Sequence, residues 1–291
     1  MKYRRLGKSN LEVSAIGLGC MPLSISPQRP TEEHAIRVIH AAIDLGITLI
    51  DTADAYCIDD TEPGHNERLI GKALAQLPPA RREKLVVATK GGLVRPGGRW
   101  ERDGRPEHLR KVCEQSLLNL GVDRITLYQY HRIDPNVSLE ASMGELKRLQ
   151  EEGKIQYIGV SNFSVMEMET AAQTAAFVSL QNEYSRQHRA PETDGTLRYT
   201  RDNDLAFLAW SPLNGIGGAK NLGRRHPFLE SVAEAHGVSP HRAALAWLMG
   251  RGPQVIPIPG ATRIESVRDN VEAVNLVLRS EELEELNRPK S

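Results

Sequence analysis

Cysteine is scarce. Only Cys20, Cys57 and Cys113 occur in 291 residues, odd in number, scattered, and never spaced as a C-x-x-C pair. That excludes a disulfide framework and a cysteine zinc site, and points to reduced thiols in a cytoplasm. An excess of either charge is also missing, because 37 lysines and arginines balance 37 aspartates and glutamates. Without a basic surplus to neutralise phosphates, neither nucleic acid nor a membrane surface is an expected partner. No apolar run approaches membrane-spanning length. The opening Met1-Lys2-Tyr3-Arg4-Arg5 lacks the apolar core of a signal peptide. No linker, low-complexity tract or short-period repeat breaks the chain, so one domain over residues 1–291 is expected.

What is present is alternation. Lys2 to Ser14 reads as a hairpin turning at Gly7-Lys8-Ser9-Asn10. Apolar strand-like runs follow at Ala15–Gly19, Thr48–Asp51, Leu85–Lys90, Ile125–His131, Ile155–Ser161, Val178–Asn182, Ala206–Trp210 and Val255–Pro259. Amphipathic stretches between and after them predict helices near Glu32–Leu45, Asn66–Leu77, Pro106–Leu120, Leu139–Glu152, Ser164–Ala176, Thr193–Asp202, Ser239–Met249 and Ile264–Val274, with a last one at Ser280–Asn287. Thr31 followed by Glu32-Glu33 is a helix-start signal, and Gly46, Gly121, Gly153 and Gly237 sit where helices should stop. Strands alternating with helices indicate βαβ units and a parallel sheet. Eight units in a chain of this length predict an α/β fold, a (β/α)8 TIM barrel with an N-terminal β-hairpin.

Several strands end in polar residues: Asp51, Lys90, His131, Ser161-Asn162 and Gln181-Asn182. Active sites of such barrels lie at that edge. Tyr56 follows Asp51 in the next loop. A free phenol titrates near ~10, and an adjacent ammonium is expected to lower that value and make Tyr56 a usable acid. Lys90 can supply the ammonium, Asp51 can pay for its burial, and His131 adds a directional donor for a carbonyl oxygen. Singly, these residues read as a turn carboxylate, a loop aromatic, a snorkelling lysine and a structural histidine. Their shared position is what lifts the set. No nucleophile or metal cluster stands out, so the attacking species is expected on a cofactor.

Leu6-Gly7, Val13-Ser14, Gly17-Leu18-Gly19, Gly46 to Tyr56, Asn66-Glu67, Thr89-Lys90, Leu127 to Arg132 and Gly159 to Phe163 together resemble the aldo-keto reductases almost end to end. The resemblance makes Tyr56 the general acid, Lys90 and Asp51 its tuning pair, and His131 the orienting donor. It implies that Ser161, Asn162 and Gln181 hydrogen-bond a nicotinamide carboxamide. It places Trp210, where the family usually has tyrosine, against the nicotinamide ring. The Ser211–Lys220 loop, with Pro212, Leu213 and Gly217, resembles one lying over a pyrophosphate, and Asp269 and Asn270 match residues at the adenine. Gly260, Ala261 and Ser266 stand where many relatives have lysine, serine and arginine, leaving Arg263 as the candidate for a 2′-phosphate. NADPH is the expected cofactor, with NADH possible. A Rossmann site is not expected, since Gly17-Leu18-Gly19-Cys20-Met21-Pro22 has proline in place of the third glycine.

The implied activity is reduction of aldehydes and ketones, in a monomer or weak oligomer. The same residues would serve an NAD(P)+-dependent sugar or polyol dehydrogenase, with a cofactor-sensing subunit or a redox-free barrel enzyme as further alternatives. Between Gly91 and Arg105, four arginines surround Trp100. They read first as solvated charges on a mobile loop, and second as a hint of anionic or polyhydroxylated substrates. With no long tail after Ser280–Asn287, a fairly open pocket accepting several aldehydes is expected.

Overall fold

Alternate residues of a strand face opposite sides, and here one side is the inside of a ring. The computed structural model describes residues 1–288, apart from the side chains of Ile216 and Arg225. It begins with an antiparallel hairpin, β1 (Tyr3–Arg5) and β2 (Glu12–Ser14). Then come β3 (Leu18–Gly19), β4 (Leu49–Asp51), β5 (Val86–Gly91), the short pair β6 (Leu93–Val94) and β7 (Glu101–Arg102), β8 (Ile125–Tyr130), β9 (Ile155–Ser161), β10 (Ser179–Glu183), β11 (Ala206–Trp210) and β12 (Val255–Pro257). Eight of these are parallel neighbours in the order β3-β4-β5-β8-β9-β10-β11-β12. The ends of that row meet. Gly17 N–H donates to Pro257 O at 2.9 Å, Gly19 N–H to Pro259 O at 3.1 Å, and Gly19 bridges Gly260. A side chain at Gly19 would begin 2.7 Å from Ile258 O, so glycine permits the seam. The sheet is a (β/α)8 barrel.

Leu49, Val86, Ala88, Leu127, Val178, Ala206, Leu208, Ile256 and Ile258 fill its interior, joined from below by Leu6 and Val13 of the hairpin. Gly7 makes that plug possible. Its φ is 56°, and a Cβ there would overlap the Val178 carbonyl oxygen. Gly7→Ala should cost about 2 kcal/mol or more, because backbone overlap and a left-handed φ act together. A denaturant midpoint equal to wild type would show that the hairpin does not plug the barrel.

Helices α1 (Glu32–Asp44), α2 (His65–Ala75), α3 (Pro79–Arg82), α4 (Pro106–Leu120), α5 (Leu139–Glu151), α6 (Val165–Thr174), α7 (Ala190–Thr193), α8 (Thr196–Asp202), α9 (Gly215–Ala219), α10 (Leu222–Arg225), α11 (Pro227–His236), α12 (Pro240–Met249), α13 (Ile264–Glu272) and α14 (Ser280–Asn287) follow the chain. The long ones ring the strands and bury apolar faces against them, as α1 does with Ala35, Val38, Ile39 and Ala42. Thr31 caps α1 as expected, and Gly46, Gly121, Gly153 and Gly237 all take positive φ. The helix expected at Thr193–Asp202 is instead two short ones, α7 and α8. Gly195, at φ 88°, breaks it. Helix α11 and the β6–β7 pair were not expected from the sequence. The three cysteines are free and buried. Among the described residues no helix is long and apolar enough to cross a membrane, and no side-chain group could hold a metal ion.

Candidate active site

Interior positions recur every second residue, so each strand climbs from the apolar layer to the barrel mouth in fixed steps. Leu49 is followed by Asp51, Ala88 by Lys90, Leu127 by Gln129 and then His131, and Leu208 by Trp210. Strands β9 and β10 bring Ser161 and Gln181 into register beside each other. Tyr56 reaches the same mouth from the β4–α2 loop. Thr52 N–H donates to Ala88 O at 2.8 Å, and Tyr56 N–H closes a turn on Ala53 O at 3.2 Å. The buried Asn66 side chain accepts from Thr52 Oγ1 at 2.6 Å and donates to Cys20 O and Ser24 Oγ, fastening the loop to the barrel.

Lys90 is completely buried. Its three ammonium hydrogens have three acceptors: Asp51 Oδ1 at 2.7 Å, Thr52 O at 2.7 Å and the Tyr56 hydroxyl at 3.1 Å. Burial pulls its pKa down, but Asp51 and Tyr56 outweigh that and raise it, so the group stays cationic. Gln181 Nε2 donates to the other Asp51 oxygen at 2.7 Å, and Gln129 Nε2 lies 3.4 Å from it. One expectation fails here. Burial of Tyr56, with the Asp51 carboxylate adding to it, outweighs the lowering by Lys90, so the phenol sits above its ordinary value. Desolvation of the phenolate, invisible in the sequence, is the reason. The ammonium restrains the rise and fixes geometry: the Tyr56 oxygen accepts from Lys90, leaving its own hydrogen free for another partner.

His131 packs edge-on to Tyr56, with ring centroids 5.8 Å apart. Burial, then Lys90 and Arg132, hold its pKa well below 6.5, so the ring is neutral. Neither ring nitrogen is hydrogen-bonded, and Nδ1 is sealed from solvent.

Asp51, Tyr56 and His131 lie on a cavity of 560 Å³, within the range of small-molecule sites. Ser161, Asn162, Gln181, Trp210, Ser211, Pro212, Leu213 and Gly260 line it too. Asn162 and Ser211 each follow a strand with positive φ, 61° and 49°, strain of a kind that clusters at functional sites. Ser161 Oγ donates to Gln181 O at 2.9 Å and accepts from Asn162 Nδ2 at 2.9 Å. That leaves Gln181 Oε1 and Asn162 Oδ1 as unused acceptors. Trp210 Nε1 and both amide atoms of Asn214 are buried without partners. The two unused acceptors suit the N–H groups of a nicotinamide carboxamide, and Trp210 offers an aromatic face on the same cavity. Gly217, Arg263, Asp269 and Asn270 lie off the cavity lining. Arg263 is exposed at the start of α13, Asn270 is buried on it, and Asp269 is bonded to Ser239 and paired with Arg242 at 2.9 Å. Sequence reasoning gave no role to Gln129, which falls on the inward climb of β8, or to Arg132, two residues beyond the end of that strand. Met21, Pro22 and Ile25, also on the lining, carried no signal.

A family model described as the aldo/keto reductase family matches residues 15–289. A soybean (Glycine max) protein named probable aldo-keto reductase 1 is 35% identical over 97% of this chain and 87% of its own length. Among solved structures, a thermostable aldo-keto reductase bound to the inhibitor epalrestat superposes with a TM-score of 0.85 and 32% identity, covering 99% of each chain. An aldo-keto reductase from Klebsiella pneumoniae in complex with NADPH does so at 0.82 and 28%, covering 99% and 94%. With a matching family model and a matching barrel, this chain belongs to the aldo/keto reductase family, whose general chemistry is oxidoreduction of carbonyl compounds.

Proposed function

We propose that this cytoplasmic, single-domain barrel reduces aldehyde and ketone carbonyls to alcohols with NADPH, Tyr56 being the proton donor. The carrying observation is the 3.1 Å Lys90–Tyr56 hydrogen bond, made by an ammonium whose other hydrogens are already engaged. Three groups compete to give the proton, and two are disqualified. Lys90 has no hydrogen to spare, and His131 is neutral and a poor acid. Tyr56 has a free hydroxyl hydrogen at the cavity. Its raised pKa does not forbid the transfer, because an alkoxide is a stronger base than a phenolate. The chemistry supplied by a bound nicotinamide is a hydride for the carbonyl carbon. Ser161, Asn162 and Gln181 would hold its carboxamide, Trp210 its ring, and the Ser211–Gly217 loop with Gly260 its phosphates. Asp269 and Asn270 would serve the adenine. Arg263, the nearest free guanidinium to Gly260 in sequence, would take the 2′-phosphate, which favours NADPH over NADH.

The test is oxidation of NADPH across a panel of carbonyl compounds, followed as a function of pH. Tyr56 is held above 10.0 and so stays protonated through neutral and mildly alkaline solution. His131 is held below 6.5 and does not charge near neutrality. The reductive kcat should therefore be flat through pH 6–8, the region where an ordinary histidine titrates. An inflection near 6.5 that disappears in His131→Gln would transfer the acid role to the imidazole.

A further inference from the structure

The cavity has two halves. Ser161, Asn162, Trp210 and Gly260 bound the one assigned above to the dinucleotide, while Leu93, Trp100, Arg102 and Arg132 bound the other. The second half carries unbalanced charge. Among the described residues Asp51 is the one carboxylate on the cavity lining, and Lys90 already neutralises it. Arg132, half-buried, makes no side-chain hydrogen bond or ion pair. Arg102 donates to Ile133 O at 3.1 Å and meets no carboxylate. Burial and the neighbouring Arg102 both push the Arg132 guanidinium below its usual range, and Glu183 and Tyr56 only partly oppose them. Two cations facing one cavity without a counterion repel, and an anion between them would remove that cost.

Other arginines of this loop show how ordinary surface charges behave here. Arg99 pairs with Glu101 at 3.0 Å and Arg105 with Asp103 at 2.6 Å. Arg95 stacks on Trp100, its Cζ 4.0 Å from the ring centre, and donates to Gly98 O and Ile58 O. Those contacts and the Leu93–Arg102 pairing of β6 with β7 fix the segment over the cavity, whereas the sequence suggested a mobile loop. Of this group, Arg102, exposed, and Arg132, half-buried, alone line the cavity, and neither is paired with a carboxylate. Arg132 directly follows His131 and lines the same cavity as Tyr56, so an anion held there would lie near the reacting carbonyl.

We infer that Arg102 and Arg132 form a carboxylate subsite, and that the preferred substrates are aldehydes or ketones carrying a carboxylate. This rests on the carbonyl reduction proposed above. Guanidinium groups suit the task, since each can grip a carboxylate through two parallel hydrogen bonds.

The experiment compares 4-carboxybenzaldehyde with its methyl ester, which keeps the shape and removes the charge. Wild type should favour the carboxylate in kcat/KM by about 10- to 50-fold, the worth of one or two charge-assisted hydrogen bonds. Arg132→Met should abolish most of that preference by raising KM for the carboxylate far more than for the ester, and high salt should erode it in wild type. Equal use of both aldehydes, or a preference that survives in both Arg132→Met and Arg102→Met, overturns the subsite. Binding is read separately by quenching of Trp100 and Trp210 fluorescence with benzoate and benzamide. If neither aldehyde reacts but benzoate still binds about tenfold tighter than benzamide, carbonyl reduction fails and the anion subsite stands. If benzoate binds no tighter, the subsite falls whatever the turnover.

Discussion

Tyr56→Phe is expected to lower kcat for carbonyl reduction by about 10²- to 10⁴-fold, the usual worth of a positioned general acid. The change is confined to one oxygen. The ring stays, and with it the edge-on contact to His131 and the placement of Lys90 Nζ 4.8 Å from the ring centre. Lys90 keeps Asp51 and Thr52 as acceptors and loses only its third. The fold and nicotinamide binding should therefore change little, and the loss should appear in kcat with a nearly unchanged Kd for NADPH. Two readouts separate loss of a proton donor from general damage. The solvent isotope effect on wild-type kcat should vanish in the variant, and the melting temperature should stay close to wild type. Turnover within tenfold of wild type would remove Tyr56 from the role.

How much of this could be read from residues alone depends on which physics each feature uses. The eight barrel strands were legible because strands buried on both faces are apolar runs bounded by glycine and polar residues. Four helix stops were legible because glycine alone takes a left-handed φ cheaply. Asp51, Lys90 and His131 announced themselves as polar groups ending apolar strands, and Tyr56 through the family resemblance of the segment containing it. Three things were hidden. Gln129 sits inside an aromatic-rich strand, and only the two-residue step along β8 shows that it faces inward with Leu127. The Gly91–Arg105 segment contains many turn formers, and its ordering depends on the Arg95–Trp100 stack and the pairing of β6 with β7. The direction of the Tyr56 pKa was misjudged because a sequence reveals the neighbouring cation but not the loss of water around the phenolate.

Lys90→Met should be the most damaging single change at the site, because it acts on stability and chemistry together. Methionine fills similar space but removes a buried cation, leaving Asp51 with Gln181 and Gln129 as its side-chain partners. Breaking a buried pair from one side costs about 3–5 kcal/mol, most of it from the charge left behind. The double variant Asp51→Asn, Lys90→Met removes both charges, and stability should return toward wild type, since replacing a whole buried pair is often neutral. Activity should not return with it. Tyr56 would lose the hydrogen bond that aims its hydroxyl and the ammonium that restrains its pKa, so burial would raise the phenol further. A double variant that folds like wild type but remains inactive separates the two roles of Lys90. If it instead recovers reduction, the 3.1 Å contact between Lys90 and Tyr56 is structural, and the proton comes from elsewhere.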